Sequence, residues 1–323
     1  MTPEESVTPE ESVTPEESVT PEESVTPEES VTPEESVTPE NDAAAPTTVA
    51  VIGGGQMGSG IAQAFLTAGC AVTLVESFAP DRARERVTAG LEGAASRGKL
   101  AEEVSAVLAR LSVHASVSAV PAGAALVVEA VPEDAGLKAE VLRAAEGVVG
   151  RGAVLATNTS SLSVTELAAA LGEPRRFLGM HFFNPVPASR LVEVVVAAET
   201  AADVVETARA WVDRLGKTGI VVTDSPGFAS SRLGVLLGLE AIRMLEEGVA
   251  DAAAIDTAME LGYRHPMGPL RSTDLVGLDV RLAIAEYLHD TLGERFSPPQ
   301  LLRDKVAAGE LGRKTGRGFH DYR

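Results

Sequence analysis

Several features that would set this chain apart are missing from it. One cysteine, Cys70, occurs in 323 residues, so no internal disulfide can form, and its place between an apolar helical stretch and a strand predicts a small buried thiol. No apolar run reaches the roughly 18 residues that mark a bilayer span, and no basic-then-apolar start marks a secretory signal. The reducing cytoplasm is therefore the expected setting. No block of Lys and Arg is available to neutralise phosphates, which argues against nucleic acid as a partner. His114, His265, His289 and His320 have no ligand spacing with one another or with Cys70, so no metal centre is expected.

What is present divides at about residue 46. The formal charge is -20, but residues 1–46 hold fourteen acids and no base, leaving 33 acids against 27 bases, or -6, for the rest. The acidic segment is a repeat: Thr-Pro-Glu-Glu-Ser-Val occurs six times from Thr2 to Val37, with a partial copy at Thr38 to Glu40. Each copy begins as a helix would, with Thr as N-cap, Pro in the first turn and Glu completing a capping box. The next proline arrives six residues later and stops propagation. With one valine per copy to bury and glutamates that repel one another, residues 1–46 are expected to be a solvated, disordered tail, with an acidic interaction arm as the sharper alternative.

The remaining chain is long enough for two modest domains, and 45% hydrophobic residues supply their cores. Thr48 to Ile52 reads as a short buried strand entering a glycine turn, followed by an apolar-periodic helix from Met57 to Ala68 and a second strand from Ala71 to Glu76. Further strands are expected at 125–130, 154–157, 177–180, 191–196 and 219–222, mostly separated by helices. This alternation predicts an α/β fold with a mostly parallel sheet over residues 47–224. After Asp224-Ser225-Pro226-Gly227 the period becomes helical, at 228–247, 251–261 and 279–291, which predicts an all-helical domain over residues 225–323.

Gly53-Gly54-Gly55-Gln56-Met57-Gly58 satisfies G-x-G-x-x-G. Alone the pattern is weak, but here a strand precedes it, a helix follows it, and Glu76 ends the next strand 23 residues after the first glycine. That is the context of a Rossmann dinucleotide site. Gly53 would allow the tight turn, Gly55 the approach of a pyrophosphate, and Gly58 close helix–strand packing, with free N–H groups of the helix start facing the phosphates. Glu76 would accept from the ribose hydroxyls and repel a 2′-phosphate, which favours NAD.

His181 is expected directly after a strand, at the carboxyl end where such sheets hold ligands. Twelve residues on, Glu193 interrupts the apolar run Leu191-Val192-Glu193-Val194-Val195, where a lone carboxylate is costly unless paired. A His181–Glu193 pair would satisfy both and give a general base with a fixed tautomer.

The glycine motif with Ser59-Gly60-Ile61-Ala62-Gln63, Asn158-Thr159-Ser160-Ser161-Leu162, His181-Phe182-Phe183-Asn184-Pro185-Val186 and Lys314-Thr315-Gly316-Arg317-Gly318-Phe319 together resemble the L-3-hydroxyacyl-CoA dehydrogenase family, over Thr47 to Arg323. The resemblance implies NAD-dependent, reversible oxidation of an L-3-hydroxyacyl-CoA, short-chained as in 3-hydroxybutyryl-CoA dehydrogenases, and a homodimer formed by the helical domain. It implies His181 as catalytic base, Glu193 as its orienting partner and Ser160 as a donor to the reacting oxygen. Asn184, Glu133 and Lys138 resemble contacts around the nicotinamide half of the cofactor, with a solvated helix face as the other reading of Lys138. One departure stands out: the family usually has Asn where this chain has Ser231, whose hydroxyl can still donate but reaches less far.

Arg82, Arg84, Arg86, Arg97 and Lys99 form a basic stretch where the family meets the CoA nucleotide. The same charges suit a solvated face or an acidic carrier protein. Dehydrogenases of free hydroxy acids share the fold, but Phe182-Phe183 favours thioesters. A noncatalytic NAD-binding scaffold would have no use for a buried His–Glu pair. Gly309 to Thr315 is not a phosphate loop, since Arg313 interrupts Gly-Lys-Thr and no strand precedes it.

Overall fold

The computed structural model describes residues 46–323, and the expected acidic tail lies, to residue 45, outside the described residues. Eight strands, β1 (Thr48–Ile52), β2 (Ala71–Val75), β3 (Leu111–His114), β4 (Leu126–Glu129), β5 (Val154–Thr157), β6 (Phe177–Phe182), β7 (Leu191–Val196) and β8 (Thr218–Thr223), form one sheet. Their order is β3-β2-β1-β4-β5-β6-β7-β8. From β3 to β6 all neighbours are parallel, β7 runs antiparallel to β6, and β8 is parallel to β7. The chain leaves β1 toward β2 and β3, then returns to β4 on the other side of β1. This reversal opens a crevice at the carboxyl ends of β1 and β4, where such sheets bind ligands.

Side chains alternate across the strands, so each strand feeds two cores. Val49, Val51, Leu126 and Val128 join one apolar cluster, beneath α1 (Gln56–Thr67), α2 (Pro80–Ser96), α3 (Val104–Leu108) and, further along the sheet, α6 (Ala202–Arg214). Ala50, Ile52, Val127 and Leu155 enter the opposite cluster, which α4 (Ala135–Glu146) and α5 (Val164–Ala168) cover. Cys70 is buried, as its sequence position predicts.

Beyond β8 come α7 (Ser230–Glu246), α8 (Ala252–Thr257), α9 (Pro269–Val276), α10 (Leu278–Leu292) and α11 (Gln300–Ala307). Their inward residues, including Val235, Leu239, Ile242, Leu278 and Leu288, make a third core. The C-terminal segment is tied to α9, because buried Asp274 accepts from the Phe319 and His320 amides at 2.8 and 2.9 Å. No helix among the described residues is long and apolar enough to cross a membrane.

The periodicity of the sequence misses β3, α9 and α11. β3 is a four-residue edge strand, Leu-Ser-Val-His, with half-exposed positions, while α9 and α11 are eight-residue helices, too short to show a clear period. The helix expected from Phe228 begins two residues later because Phe228 has a positive φ of 49°.

Candidate active site

The glycine loop joins β1 to α1 against the end of β4. Gly53 has φ 106°, and a Cβ there would lie 2.5 Å from the Ala130 carbonyl oxygen; a Cβ at Gly58 would lie 1.7 Å from that of Gly53. Neither position tolerates a side chain. At Gly55, by contrast, a Cβ would meet nothing within 4 Å, so the space before α1 is open. Gly55 is the N-cap and no side chain caps the helix, which leaves its first N–H groups for an anion.

Glu76 follows β2 and turns back to this loop, its two carboxylate oxygens accepting from Gly54 N at 2.9 Å and Phe78 N at 3.0 Å. Partial burial pushes its carboxyl up, but the Phe78, Gly54 and Ala79 amides and the Arg86 charge outweigh this and hold it below the ordinary range. An ionised acid beside an open, uncapped helix start fits a dinucleotide with free ribose hydroxyls. Gln56 and Asn184, 128 positions apart, meet through a 3.1 Å side-chain bond at the mouth of this loop.

Lys138 is not on a solvated helix face. It is 1% exposed, and its ammonium lies 2.8 Å from Glu129 and 3.3 Å from Glu133. Glu129, at the end of β4, also accepts from Thr157 Oγ1 and Val131 N, both at 2.6 Å. Lys138 thus reaches the crevice through Glu133 rather than directly. Glu133 in turn accepts from the Thr159 hydroxyl and from the Ser160 and Ser161 amides at 3.0 and 3.3 Å. Burial raises its carboxyl; Lys138, Thr159 and Ser160 reverse that, and the net direction is downward. These bonds hold the Ser160 turn at the carboxyl ends of β4 and β5.

His181 lies within β6 rather than after it, and antiparallel pairing sets it directly opposite Glu193 on β7. Imidazole Nδ1 is 2.7 Å from Glu193 Oε2. Glu193 is fully buried and also caps the start of α7: its Oε1 accepts from Ala229 N and Ser230 N at 3.2 and 2.8 Å, and its Oε2 from Ser230 Oγ at 2.8 Å. The carboxylate therefore supplies the cap that Ala229 cannot, at the positive end of the helix dipole. Burial pushes the Glu193 carboxyl up, but the bonds from His181 and Ser230 hold it below its ordinary range. The rings of Phe183 and Phe228 stand 4.4 and 5.7 Å from the imidazole, while Phe182 turns into the sheet core.

His181 opens on a cleft of about 510 Å³ between the sheet and the helical region, lined also by Met57, Glu133, Ser160, Asn184 and Ser231. Residues of the sheet region and of α7 and α10 contribute walls, so the cleft needs both parts of the chain. A second cavity of about 810 Å³ shares Asn184 with it and carries Arg86, Arg97 and Lys99. Of the basic stretch, Arg82 and Arg84 are absent from that lining.

The sequence motifs give no role to Ser230, Glu129, Thr159 or Arg281. Thr159 does fall within a quoted motif, and Glu129 leaves a trace as an acid ending an apolar strand, much as Glu193 stands within one. Ser230 and Arg281 carry no signal of their own, because their partners and surroundings come from other elements.

Fold and site define the class: a Rossmann-fold, NAD-dependent oxidoreductase with a helical second region closing its cleft. Two family models cover nearly all of the described chain, those of the 3-hydroxyacyl-CoA dehydrogenase NAD-binding domain over residues 48–225 and of the 3-hydroxyacyl-CoA dehydrogenase C-terminal domain over residues 227–322. The chain belongs to the 3-hydroxyacyl-CoA dehydrogenase family. It is 42% identical over 278 residues to a probable 3-hydroxybutyryl-CoA dehydrogenase of Bacillus subtilis, covering 85% of this chain and 96% of that protein. Identity to the 3-hydroxybutyryl-CoA dehydrogenase of Mycobacterium tuberculosis is 43% over 285 residues, 85% and 98% of the two chains. Among solved structures, the (S)-3-hydroxybutyryl-CoA dehydrogenase of Ralstonia eutropha superposes with a TM-score of 0.82 at 39% identity, over 86% of this chain and all of that one.

Proposed function

We propose that this chain catalyses the reversible oxidation of a short L-3-hydroxyacyl-CoA to the 3-oxoacyl-CoA, with His181 as general acid/base. The observation that carries the reading is the His181–Glu193 pair, 2.7 Å apart, opening on a cleft that Ser160 and the dinucleotide crevice also face. Glu193 accepts a hydrogen bond from Nδ1–H and so leaves imidazole Nε2 free to take the hydroxyl proton. Bound NAD supplies the hydride acceptor for the hydrogen on C3. Ser160 and Ser231 donate hydrogen bonds to the oxygen as it passes from hydroxyl to carbonyl. Gly53, Gly55, Gln56, Met57, Gly58 and Glu76 hold the dinucleotide, with Glu133 and Asn184 beside its nicotinamide half and Lys138 positioning Glu133.

Arg86, Arg97 and Lys99 in the 810 Å³ cavity suit the phosphates of a CoA arm reaching the cleft past Asn184. Domains bounded at residues 224 and 225 would then contribute cofactor and substrate walls respectively. A homodimer through the helical region is supported by Leu233 on α7, Leu275 and Val276 on α9 and Val280 on α10, apolar side chains left 43–68% exposed. A single buried thiol suits a cytoplasmic enzyme.

The test is to mix purified protein and NAD with 3-hydroxyacyl-CoA esters, acyl-carrier esters and free hydroxy acids and to follow reduced nicotinamide. Turnover of a CoA ester by the wild type, lost in His181→Gln, is expected. No thioester turned over by either form would overturn the reading, and preference for a carrier-bound or free acid would replace the substrate.

A further inference from the structure

Arg281 has no work in the reaction just described, yet it lines the reaction cleft. It stands in the first turn of α10 and is 6% exposed. Its Nε has no hydrogen-bond partner, and no ion pair among the described residues includes it. Burial alone pushes the guanidinium down to about 10, with no carboxylate near enough to offset it, so the group is still a cation at neutral pH. A buried cation is costly without a partner, and the positive end of a helix adds to the cost.

The guanidinium lies along two glycines of α7. A Cβ on Gly234 would lie 3.8 Å from an Nη atom of Arg281, and one on Gly238 3.9 Å from its Nε, both ordinary van der Waals contacts. Gly234 is three residues beyond Ser231, a rise of about 4.5 Å along the helix, and Ser230 beside it is bonded to Glu193. The cation therefore sits one helical turn from the reacting end of the cleft. Val235 and Ile284, which lie outside the proposed dimer face, supply apolar walls to the same cleft, fit for methylene groups between the reacting carbon and a charge.

We propose that the cleft is built for a 3-hydroxyacyl-CoA whose acyl chain ends in a carboxylate, received by Arg281 in its position over Gly234 and Gly238. The planar guanidinium can take a carboxylate through two parallel hydrogen bonds. Binding supplies the counter-ion that folding leaves out, so an uncharged chain end would leave the cation buried and unpaired. The proposal rests on the 3-hydroxyacyl-CoA dehydrogenase reading and adds to it the charge of the acyl terminus.

The experiment compares kcat/KM for 3-hydroxyglutaryl-CoA and 3-hydroxyadipyl-CoA with that for the uncharged 3-hydroxypentanoyl-CoA and 3-hydroxyhexanoyl-CoA. The wild type is expected to prefer at least one carboxylated ester by about tenfold or more, Arg281→Met to erase the preference, and Arg281→Lys to restore part of it. Melting temperature and oligomeric state are followed in parallel, and the melting temperature of Arg281→Met is expected to hold or rise, since an unpaired buried charge is removed. A wild-type preference for the uncharged esters, an equal loss on all four in Arg281→Met, or a change of melting downward or of assembly would overturn the proposal. Turnover of uncharged esters alone, with 3-hydroxybutyryl-CoA run beside the four, would leave the dehydrogenase reading standing, whereas no turnover of any of the five would remove both.

Discussion

His181 and Glu193 stand opposite one another across β6 and β7, and the same carboxylate that meets the imidazole at 2.7 Å also caps α7. One side chain thus joins the base, the sheet and the helical region. Glu193→Gln keeps the size and loses the charge. We expect kcat to fall by about 10²-fold or more, with NAD affinity by calorimetry within twofold or so of wild type. An equal loss in NAD affinity would mean that Glu193 supports the fold of the crevice rather than the base.

The Ser230 hydroxyl, 2.8 Å from Glu193, is one of the donors holding that carboxyl below its ordinary range. A carboxyl lowered in the folded state adds stability above its unfolded value, near 4.3, and this is lost as pH falls through the folded value. Ser230→Ala should therefore cost about 1–2 kcal/mol at pH 7, and the cost should shrink as the medium is taken below the folded value. Urea titrations across that range read it, and a pH-independent difference would disconnect Ser230 from the Glu193 charge.

Glu129 and Lys138 are a fully buried ion pair. Lys138→Met strands the carboxylate and is expected to destabilise the protein by about 3–5 kcal/mol. Replacing both, as Glu129→Leu with Lys138→Met, should recover a large part of that loss in the same denaturant titration. If the double variant is as unstable as the single one, the pair is not the source of the cost.

Glu76 carries the cofactor choice. With Glu76→Gln the preference for NAD over NADP, taken as a ratio of kcat/KM, is expected to fall by about tenfold, near 1.4 kcal/mol, since the repulsion of a 2′-phosphate is gone. A ratio that does not move would assign the choice to other residues.

Ser231 lines the cleft one position after Ser230, where the family usually has Asn. Ser231→Asn should alter kcat/KM by a few-fold or more while leaving NAD binding intact, because the longer amide reaches further toward the substrate oxygen. Identical kinetics in the two forms would take Ser231 out of the site.

The crevice was legible in the chain itself. Gly53, Gly55, Gly58 and Glu76 act within one β1–α1–β2 unit, where spacing along the chain fixes spacing in space. The His181–Glu193 pair was half legible, since an acid in an apolar strand needs a partner and few are near in sequence. Lys138 illustrates the limit. Its own neighbours, Leu137 and Ala139, look like one turn of an ordinary helix, and Glu129 at the end of β4 together with Glu133 explains its burial.

By itself the sequence determined the glycine turn, the positions of most strands, the change to helices after Gly227 and the need of Glu193 for a partner, all set by local period, backbone freedom or the cost of a buried charge. Tertiary structure alone decided that β7 turns antiparallel and so aligns Glu193 with His181, that Ser230 and the start of α7 share that carboxylate, and that Arg281 is left unpaired in the cleft. Those relations join residues from separate elements, and no local energy along the chain distinguishes them until the sheet and the helices have packed.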